Sequence, residues 1–215
     1  MIADRRAFIL AHTRLQPPPH TPELKLHLAG EETPLWRLGE AELEALGLSA
    51  PFWAFAWAGG HGLARWVLDH PEIVAGRSIL DFAAGSGIAA VAAMKAGAAG
   101  ALAADIDGFC GEAVALNAEA NGVAVAFTDA DLLAAPPPRA DVILAGDVCY
   151  EAPLTARVLA WLAAARAGGA RVLIGDPGRT YFPKSGLVRL AEYQVPVTRA
   201  LEDMEVRRTG VWEMP

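Results

Sequence analysis

Short apolar runs alternate with longer alanine-rich stretches along the chain from residue 78 onward. The short runs have the length of buried strands, and the stretches between them have the length of helices. Strands that alternate with helices pair in parallel, because each helical crossover returns the chain in the same direction. The pattern therefore predicts an open, doubly wound α/β sheet. We expect strands over residues 78–82, 101–105, 123–127, 141–146, 171–176, 193–197 and 205–213, and helices over residues 86–96, 109–121 and 154–168.

The first 75 residues have a different pattern, with no regular alternation of strands and helices. A helix is expected over residues 3–15, ended by three consecutive prolines, and the stretch LKLHLAG alternates at period two like a strand. A short helix is expected over residues 39–47, closed by Gly47, and another from about Gly60 to Asp69. We expect residues 1–75 to form an N-terminal extension of helices and a strand on a core of residues 76–215, together one structural domain.

Acidic residues stand at the carboxyl ends of successive predicted strands. In an open parallel sheet these strand ends meet at one edge, which is where such sheets bind ligands. One acid at a strand end is commonly a cap or a turn residue. A series of acids converging on one edge indicates a ligand site instead. The series is Asp81, Asp105, Asp129 with Asp131, Asp147 and Asp176.

The stretch LDFAAGSGIAAVAA, residues 80–93, contains a G-x-G turn without the third glycine of dinucleotide-binding proteins. Asp81 would repel a pyrophosphate at this turn, but its carboxylate suits the ammonium of an amino-acid-bearing cofactor. Asp105 follows about 20 residues later, at the position from which an acid bridges ribose hydroxyls. Asp131 is placed to accept the exocyclic amine of an adenine. Ammonium, ribose and adenine together describe S-adenosylmethionine.

Composition and charge exclude several classes of protein. Among 215 residues 53% are hydrophobic and the net charge is -7, which favours a globular protein and argues against nucleic-acid binding. No apolar span approaches the length of a membrane helix, and we expect no membrane association. Two cysteines and no secretory signal fit a cytoplasmic protein, and five scattered histidines give no metal site. We expect a monomer.

Several motifs resemble those of the class I, seven-strand methyltransferases. ILDFAAGSG, AADID, NAEANG, FTDADLL and ADVILAGDVCYE follow the order of that family, and FWAFAWAGGHGLARWVLDHP narrows the resemblance to its lysine methyltransferase group. Within that group the chain is similar to the enzymes that modify the β-subunit of electron transfer flavoprotein. The resemblance runs from about Leu24 to the end of the chain. It implies a Rossmann-like sheet of seven strands, S-adenosylmethionine as cofactor, and an N-terminal extension that covers the cofactor site.

The resemblance also implies which residues contact the cofactor. Asp107 rivals Asp105 for the ribose, because alternation in an extended segment sends both side chains to one face. The family usually has glycine where this chain has Ala83, and we expect the methyl group to be tolerated if the local φ is negative. The implied contacts are Trp57, Gly60, Asp81, Ala83, Gly85, Gly87, Asp105, Ile106, Asp131 and Leu132.

The motif GDVCYE at the end of the fourth core strand predicts the transfer site. A lysine acceptor has a reference pKa near 10.4, and making it neutral at pH 7.4 costs roughly 4 kcal/mol. We expect Asp147 to capture the incoming ammonium, and Tyr150 and Trp53 to supply aromatic walls that favour the neutral amine. In the alternative interpretation Asp147 caps a neighbouring segment and Tyr150 only packs. Cys149 is expected to be a buried, unreactive thiol.

The sequence thus predicts an S-adenosylmethionine-dependent protein-lysine N-methyltransferase whose partner is a protein presenting lysine, possibly the β-subunit of electron transfer flavoprotein. Two alternatives stay open. A small-molecule N-methyltransferase acting on a nicotinamide-like compound would have a closed, mostly apolar pocket instead of an open acidic rim. A non-catalytic module that docks on a partner protein would have damaged cofactor motifs, whereas the motifs here are in place.

Overall fold

The computed structural model describes residues 2, 4–33, 35, 39–45, 48, 50–197 and 204–215. Its helices are α1 (Arg5–His12), α2 (Glu40–Ala45), α3 (Ala58–Asp69), α4 (Ile88–Lys95), α5 (Gly108–Ala120) and α6 (Ala152–Ala167). Its strands are β1 (Arg14–Gln16), β2 (Leu26–Leu28), β3 (Ser78–Phe82), β4 (Gly100–Ala104), β5 (Ala126–Thr128), β6 (Val142–Gly146), β7 (Arg171–Asp176), β8 (Val188–Pro196) and β9 (Val206–Met214). No helix within these described residues is long and apolar enough to cross a membrane.

Seven strands form one sheet in the order β5-β4-β3-β6-β7-β9-β8. Strands β3 to β7 pair in parallel, whereas β9 runs antiparallel to both β7 and β8. The chain winds outward from β3 to β5 and then returns to β6 on the other side of β3. The direction of winding therefore reverses between β3 and β6, which is where sheets of this kind bind ligands. The predicted Rossmann-like α/β sheet of seven strands is confirmed.

Helices cover both faces of the sheet, which explains why most residues of the central strands are apolar. Ile79 and Leu144 face a cluster that includes residues of α3 and α4. Their neighbours Leu80 and Ile143 point to the opposite face and pack in a cluster with α6. Alternate residues of each central strand thus enter two different halves of the core.

Helix α1 ends at His12, earlier than predicted. Asp4 caps its start by accepting from the Ala7 backbone at 2.8 Å, and Thr13 ends it by donating to the Ile9 carbonyl. The chain then becomes extended and β1 pairs antiparallel with β2, so the prediction of helix up to residue 15 is wrong. Pairing with a strand ten residues further along overrides the local preference, which the sequence pattern does not reveal.

Asn117 of α5 and Asn121 at the C-cap of that helix connect the N-terminal extension to the core. Asn117 is fully buried, accepts from the His27 backbone at 2.7 Å and donates to the Ser86 carbonyl at 2.8 Å. Asn121 accepts from the Lys25 backbone at 3.0 Å and returns a bond to the Lys25 carbonyl. The extension is therefore hydrogen-bonded to the helix that packs beside the glycine turn, and Asn117 of that helix is itself hydrogen-bonded to the turn.

The remaining differences from the predicted elements concern their ends. α3 begins at Ala58, two residues before the predicted start. The short helix predicted over residues 39–47 is described from Glu40 to Ala45, and its predicted last residue, Gly47, lies outside the described residues. The strand predicted over residues 123–127 forms only from Ala126 to Thr128.

Candidate functional site

The glycine turn follows β3 at the reversal point of the sheet. Gly85 and Gly87 have left-handed backbones, with φ of +51° and +74°, which favour glycine. A Cβ on Gly87 would lie 2.8 Å from Val114 of α5, so this residue must be small for helix packing. A Cβ on Gly85 would approach only the Phe52 carbonyl oxygen, at 3.6 Å, among the described residues. Gly85 therefore has free space beside its main chain, and a ligand that lies against the turn needs such space.

Ala83 also has a left-handed backbone, with φ of +55°. The expectation that its methyl group is tolerated depended on a negative φ, and that condition is not met. An L-residue in this conformation brings its Cβ close to the following carbonyl oxygen, at a cost of about 1 kcal/mol. The turn thus carries local strain two residues before Gly85, and its other residues of left-handed conformation, Gly85 and Gly87, are glycines.

Asp81 lies inside the protein, on β3 beneath the turn. Its Oδ2 accepts from the Ala90 backbone of α4 at 2.9 Å. Burial raises the pKa of Asp81 to about 7, the Ala90 hydrogen bond opposes this rise, and the negative charge of Asp105 adds to it. A positive group that reached this carboxylate would favour its ionised form. The residue therefore fits the predicted partner of a cofactor ammonium.

The structure distinguishes the two acids of the DID segment. Asp105 follows β4 and accepts from the Gly85 backbone at 2.9 Å, which joins the ends of β3 and β4. Asp107 caps α5 by accepting from the Phe109 backbone at 2.9 Å. Asp105 is therefore the acid beside the glycine turn. Ile106, between them, is 75% exposed.

Asp131 and Leu132 begin the short 3₁₀ turn that follows β5. Asp131 accepts from the Leu133 backbone at 3.0 Å, and its other oxygen lies 3.7 Å from the Arg157 guanidinium. Its side chain is half exposed at the same sheet edge as Asp105. The series of acids predicted at the strand ends thus occupies one edge in the order Asp131, Asp105, Asp81, Asp147 and Asp176 across the sheet.

Asp147 caps the start of α3, although 88 residues separate it from that helix. Its Oδ2 accepts from the Gly59 and Gly60 backbones at 2.6 and 3.2 Å. These are the donors that a helix leaves unpaired at its start, and Trp57 at the N-cap supplies no side-chain acceptor. A Cβ on Gly59 would collide with the Gly175 carbonyl oxygen. Small residues thus let α3 begin directly against the ends of β6 and β7.

Arg179 is the charged partner of Asp147. Its Nε and Nη2 donate to Asp147 Oδ1 at 3.1 and 2.7 Å, and both side chains are less than one-fifth exposed. Its Cζ also lies 5.7 Å from the centre of the Trp57 ring, within reach of a cation–π interaction. The loop that carries Arg179 is held by Asp176, which accepts from the Gly178 and Arg179 backbones at 2.7 Å. Sequence analysis missed the ion pair because its partners are distant in sequence.

Trp57, which lies beside Arg179, belongs to a group of neighbouring aromatic rings. Phe52 is 53% exposed and Tyr150 is 54% exposed, with 6.5 Å between their ring centres. Trp57 packs against Phe52 at 5.7 Å and donates from Nε1 to the Phe52 carbonyl at 3.1 Å. The rings therefore form a continuous rim from the end of β6 to the start of α3, and this rim is open to solvent.

The prediction that Trp53 forms an aromatic wall of the site is wrong. The side chain is 0% exposed and stacks on Phe109 of α5, with 5.6 Å between ring centres. Phe52 and Trp53 both lie in a 3₁₀ turn, where neighbouring side chains point in different directions. Phe52 faces the rim, while Trp53 enters the core of the N-terminal extension.

Cys149 lies in the same sequence motif as Asp147. Cys149 is buried, and burial raises the pKa of its thiol to about 12. No group of three or more potential metal ligands occurs among the residues that the structure describes. Carboxylates, backbone amides, one guanidinium and aromatic rings are therefore the functional groups that the described site offers.

Comparisons with known proteins agree with this arrangement. The family model described as ribosomal protein L11 methyltransferase matches residues 59–149, which contain the glycine turn and the strand-end acids up to Asp147. Among solved structures, magnesium protoporphyrin IX methyltransferase from Synechocystis PCC 6803 with bound SAM is similar over 73% of this chain and 80% of that chain. Its TM-score is 0.52 at 18% sequence identity, so the likeness concerns the fold.

Curated relatives cover nearly the whole chain. The electron transfer flavoprotein β-subunit lysine methyltransferase of Xenopus laevis is 38% identical over 213 residues, covering 96% of this chain and 85% of the relative. The protein of the same name from Homo sapiens is 33% identical over 198 residues, covering 89% of this chain and 74% of the relative. The matched region includes the N-terminal extension as well as the sheet.

Proposed function

Since the chain belongs to the family of electron transfer flavoprotein β-subunit lysine methyltransferases, we propose that it transfers a methyl group from S-adenosylmethionine to a lysine of a protein, and that this protein is the flavoprotein β-subunit. The observation that carries the proposal is the open aromatic rim around Asp147, at the reversal point of the sheet. A small-molecule enzyme would enclose its acceptor, whereas this rim admits a side chain that projects from another protein.

The groups at the sheet edge fit the cofactor. Asp81 provides a buried carboxylate for the ammonium, Asp105 a carboxylate for the ribose, and Asp131 an acceptor for the adenine amine. Ile106 offers an exposed aliphatic surface, and Gly85 leaves room beside the main chain. When bound, S-adenosylmethionine supplies an electrophilic methyl group on a sulfonium, so the protein needs no nucleophile of its own.

The protein's own task is to align the acceptor amine and to keep water away from it. Phe52 and Tyr150 are the exposed rings that would line the path of the lysine stem. Asp147 would orient the amine, but its two oxygens already accept hydrogen bonds from Arg179, Gly59 and Gly60. We therefore propose that the incoming lysine replaces Arg179 at Oδ1, while Oδ2 continues to hold the start of α3.

The protonation of the lysine is governed by opposing influences at this position. The Asp147 carboxylate favours the ammonium, which attracts the substrate, and desolvation among aromatic rings favours the neutral amine that can react. Arg179 remains close in the loop held by Asp176, and its positive charge also favours the neutral amine. Asp147 thus attracts the charged lysine from one side of the site. Arg179 and the aromatic rings favour its neutral, reactive form from the other side.

The proposal is tested by incubating the purified protein with labelled S-adenosylmethionine and a recombinant electron transfer flavoprotein β-subunit, followed by mass spectrometry of the protein substrate. We expect label on lysine. Parallel reactions contain nicotinamide and related small amines in place of the protein. Label found only on the small amines would replace the proposed substrate class, and binding of the cofactor without any transfer would favour a docking module. The cytoplasmic location and the monomeric state stay predictions.

A further inference from the structure

A second concave region lies beside the transfer site, on the outer side of α3. It is a groove of about 380 Å³ between the β1–β2 ribbon, the segment before α3 and the end of β8. Trp57 belongs to both places, since it lines the groove and packs on Phe52 at the rim. A chain that delivers a lysine to the rim would therefore pass over the groove with its neighbouring residues.

The groove is acidic at its border. Glu31 and Glu32 are exposed lining residues, and the described residues of the lining include neither lysine nor arginine. No ion pair to either glutamate occurs among the residues that the structure describes. The walls include Phe55 and Pro19, apolar surfaces of the kind on which the stem of a long basic side chain packs. Charge and shape thus favour a basic residue over an acidic or purely apolar one.

His61 supplies an independent sign that the groove receives a ligand. It lines the groove from the first turns of α3, is 3% exposed, and its Nδ1 has no hydrogen-bond partner within the described part of the chain. Burial lowers the pKa of His61 to about 4, so the ring is neutral at physiological pH. An unpaired polar atom at this depth is costly, and the groove is the concave region that this side chain lines.

We infer that this groove binds a basic residue that flanks the target lysine in the protein substrate, with its cationic head at Glu31 and Glu32. The inference rests on the proposed function and adds a determinant of substrate choice to it. The groove is too small for a folded domain and lies at the lower end of the size range of small-ligand pockets, which suits one side chain and its backbone.

The test compares wild-type protein with Glu31→Gln/Glu32→Gln, using the electron transfer flavoprotein β-subunit as substrate. We expect KM for this substrate to rise about three- to tenfold, because two exposed ion pairs are lost. The kcat value and the dissociation constant of S-adenosylmethionine should stay unchanged. The wild-type KM should also rise with added salt, more steeply than that of the variant. The matched control, Glu72→Gln/Glu112→Gln, removes the same charge away from the groove and should behave like wild type.

Each result has a definite meaning. A selective rise of KM in the groove variant supports the inference. If the wild type is active and Glu31→Gln/Glu32→Gln has the same KM, the role of the groove is wrong, and the proposed function is unaffected. An equal rise of KM in the control variant would also overturn it, because net charge alone would then explain the effect. A wild-type protein that does not methylate the flavoprotein subunit would overturn the proposed function, and this inference with it.

Discussion

Arg179 and Asp147 form an ion pair in which two guanidinium nitrogens donate to one carboxylate oxygen, at 3.1 and 2.7 Å. The other oxygen of Asp147 accepts from the first amides of α3 at 2.6 and 3.2 Å. A carboxylate has about four lone-pair sites, so these four bonds occupy the group fully. An incoming lysine therefore competes with Arg179 for Asp147, and does not meet an unoccupied acid.

Asp147→Asn should slow methyl transfer while it leaves the structure of the site unchanged. The amide keeps one oxygen for the Gly59 and Gly60 amides, so α3 and Trp57 stay in place. It loses the charge that attracts an ammonium, and we expect kcat to fall by about 100-fold or more. The dissociation constant of S-adenosylmethionine should change by less than about threefold. Transfer of labelled methyl groups and titration calorimetry measure the two quantities, and unchanged turnover would remove Asp147 from the reaction.

The same ion pair should contribute to stability. Both of its side chains are less than one-fifth exposed, so water screens the charges only partly. A double-mutant cycle with Asp147→Asn and Arg179→Gln should give a coupling free energy of about 1–3 kcal/mol in urea unfolding. The control cycle uses Arg65 and Asp69, a helical pair with a more exposed acid, and should give about 0.5 kcal/mol or less. Equal coupling in the two cycles would contradict a special role for the Arg179 pair.

Ala83→Gly should stabilise the protein. Because φ is +55° at this position, removing the Cβ relieves a steric conflict worth about 1 kcal/mol. Ala84→Gly is the matched control, since Ala84 is buried and is not among the residues with positive φ. It should destabilise the protein by about 1 kcal/mol through lost burial and a more flexible unfolded chain. Midpoints of urea unfolding at equal slope distinguish the two outcomes. Destabilisation by both variants would show that the positive φ of Ala83 does not lower the stability of the protein.

Most strands of the sheet and about half of the candidate site residues could be predicted from short stretches of sequence. The parallel strands are short apolar runs separated by helices of crossover length. Both features can be recognised in short stretches of the sequence, without knowledge of distant contacts. Asp81, Asp105 and Asp131 are adjacent in sequence to the strand ends that position them. The edge on which these acids converge could therefore be predicted without knowing any tertiary contact.

The other half of the site depends on contacts between distant segments. Asp147 caps a helix 88 residues earlier in the chain and pairs with Arg179, 32 residues later. Neither relationship leaves a periodic pattern or a motif. Phe52 and Trp53 are equally aromatic neighbours, and only the direction of a 3₁₀ turn decides which of them is buried. The left-handed φ of Ala83 is likewise imposed by the turn, because alanine alone prefers a negative φ.

The contrast between Phe52 and Trp53 is itself testable. Phe52→Ala removes an exposed ring, so unfolding should be affected by less than about 1 kcal/mol, while KM for the protein substrate rises. Trp53→Ala empties a fully buried site beside Phe109 and should destabilise the protein by about 3–5 kcal/mol. Denaturant unfolding and steady-state kinetics on the same preparations give both comparisons. A Phe52→Ala variant with unchanged kinetics would exclude its ring from the substrate path.

Asp81 predicts how cofactor binding depends on pH. Its pKa is raised to about 7 by burial, so a large share of the folded protein carries a protonated, neutral Asp81 below that pH. Binding of a cofactor ammonium requires the ionised form, and the protein must then release a proton. We therefore expect the dissociation constant of S-adenosylmethionine to increase by up to about tenfold for each pH unit below 7, and to level off above it.

Calorimetry at pH 6, 7 and 8 in two buffers of different ionisation enthalpy measures both the affinity and the proton release. Asp81→Asn is the control, since it is nearly isosteric and cannot ionise. It should bind the cofactor more weakly at pH 8 and lose most of the pH dependence, because the group that titrates near pH 7 is then missing. A pH dependence that persists unchanged in Asp81→Asn would assign the titrating group elsewhere, with Asp176 as the next carboxyl to replace, because burial raises its pKa to about 6.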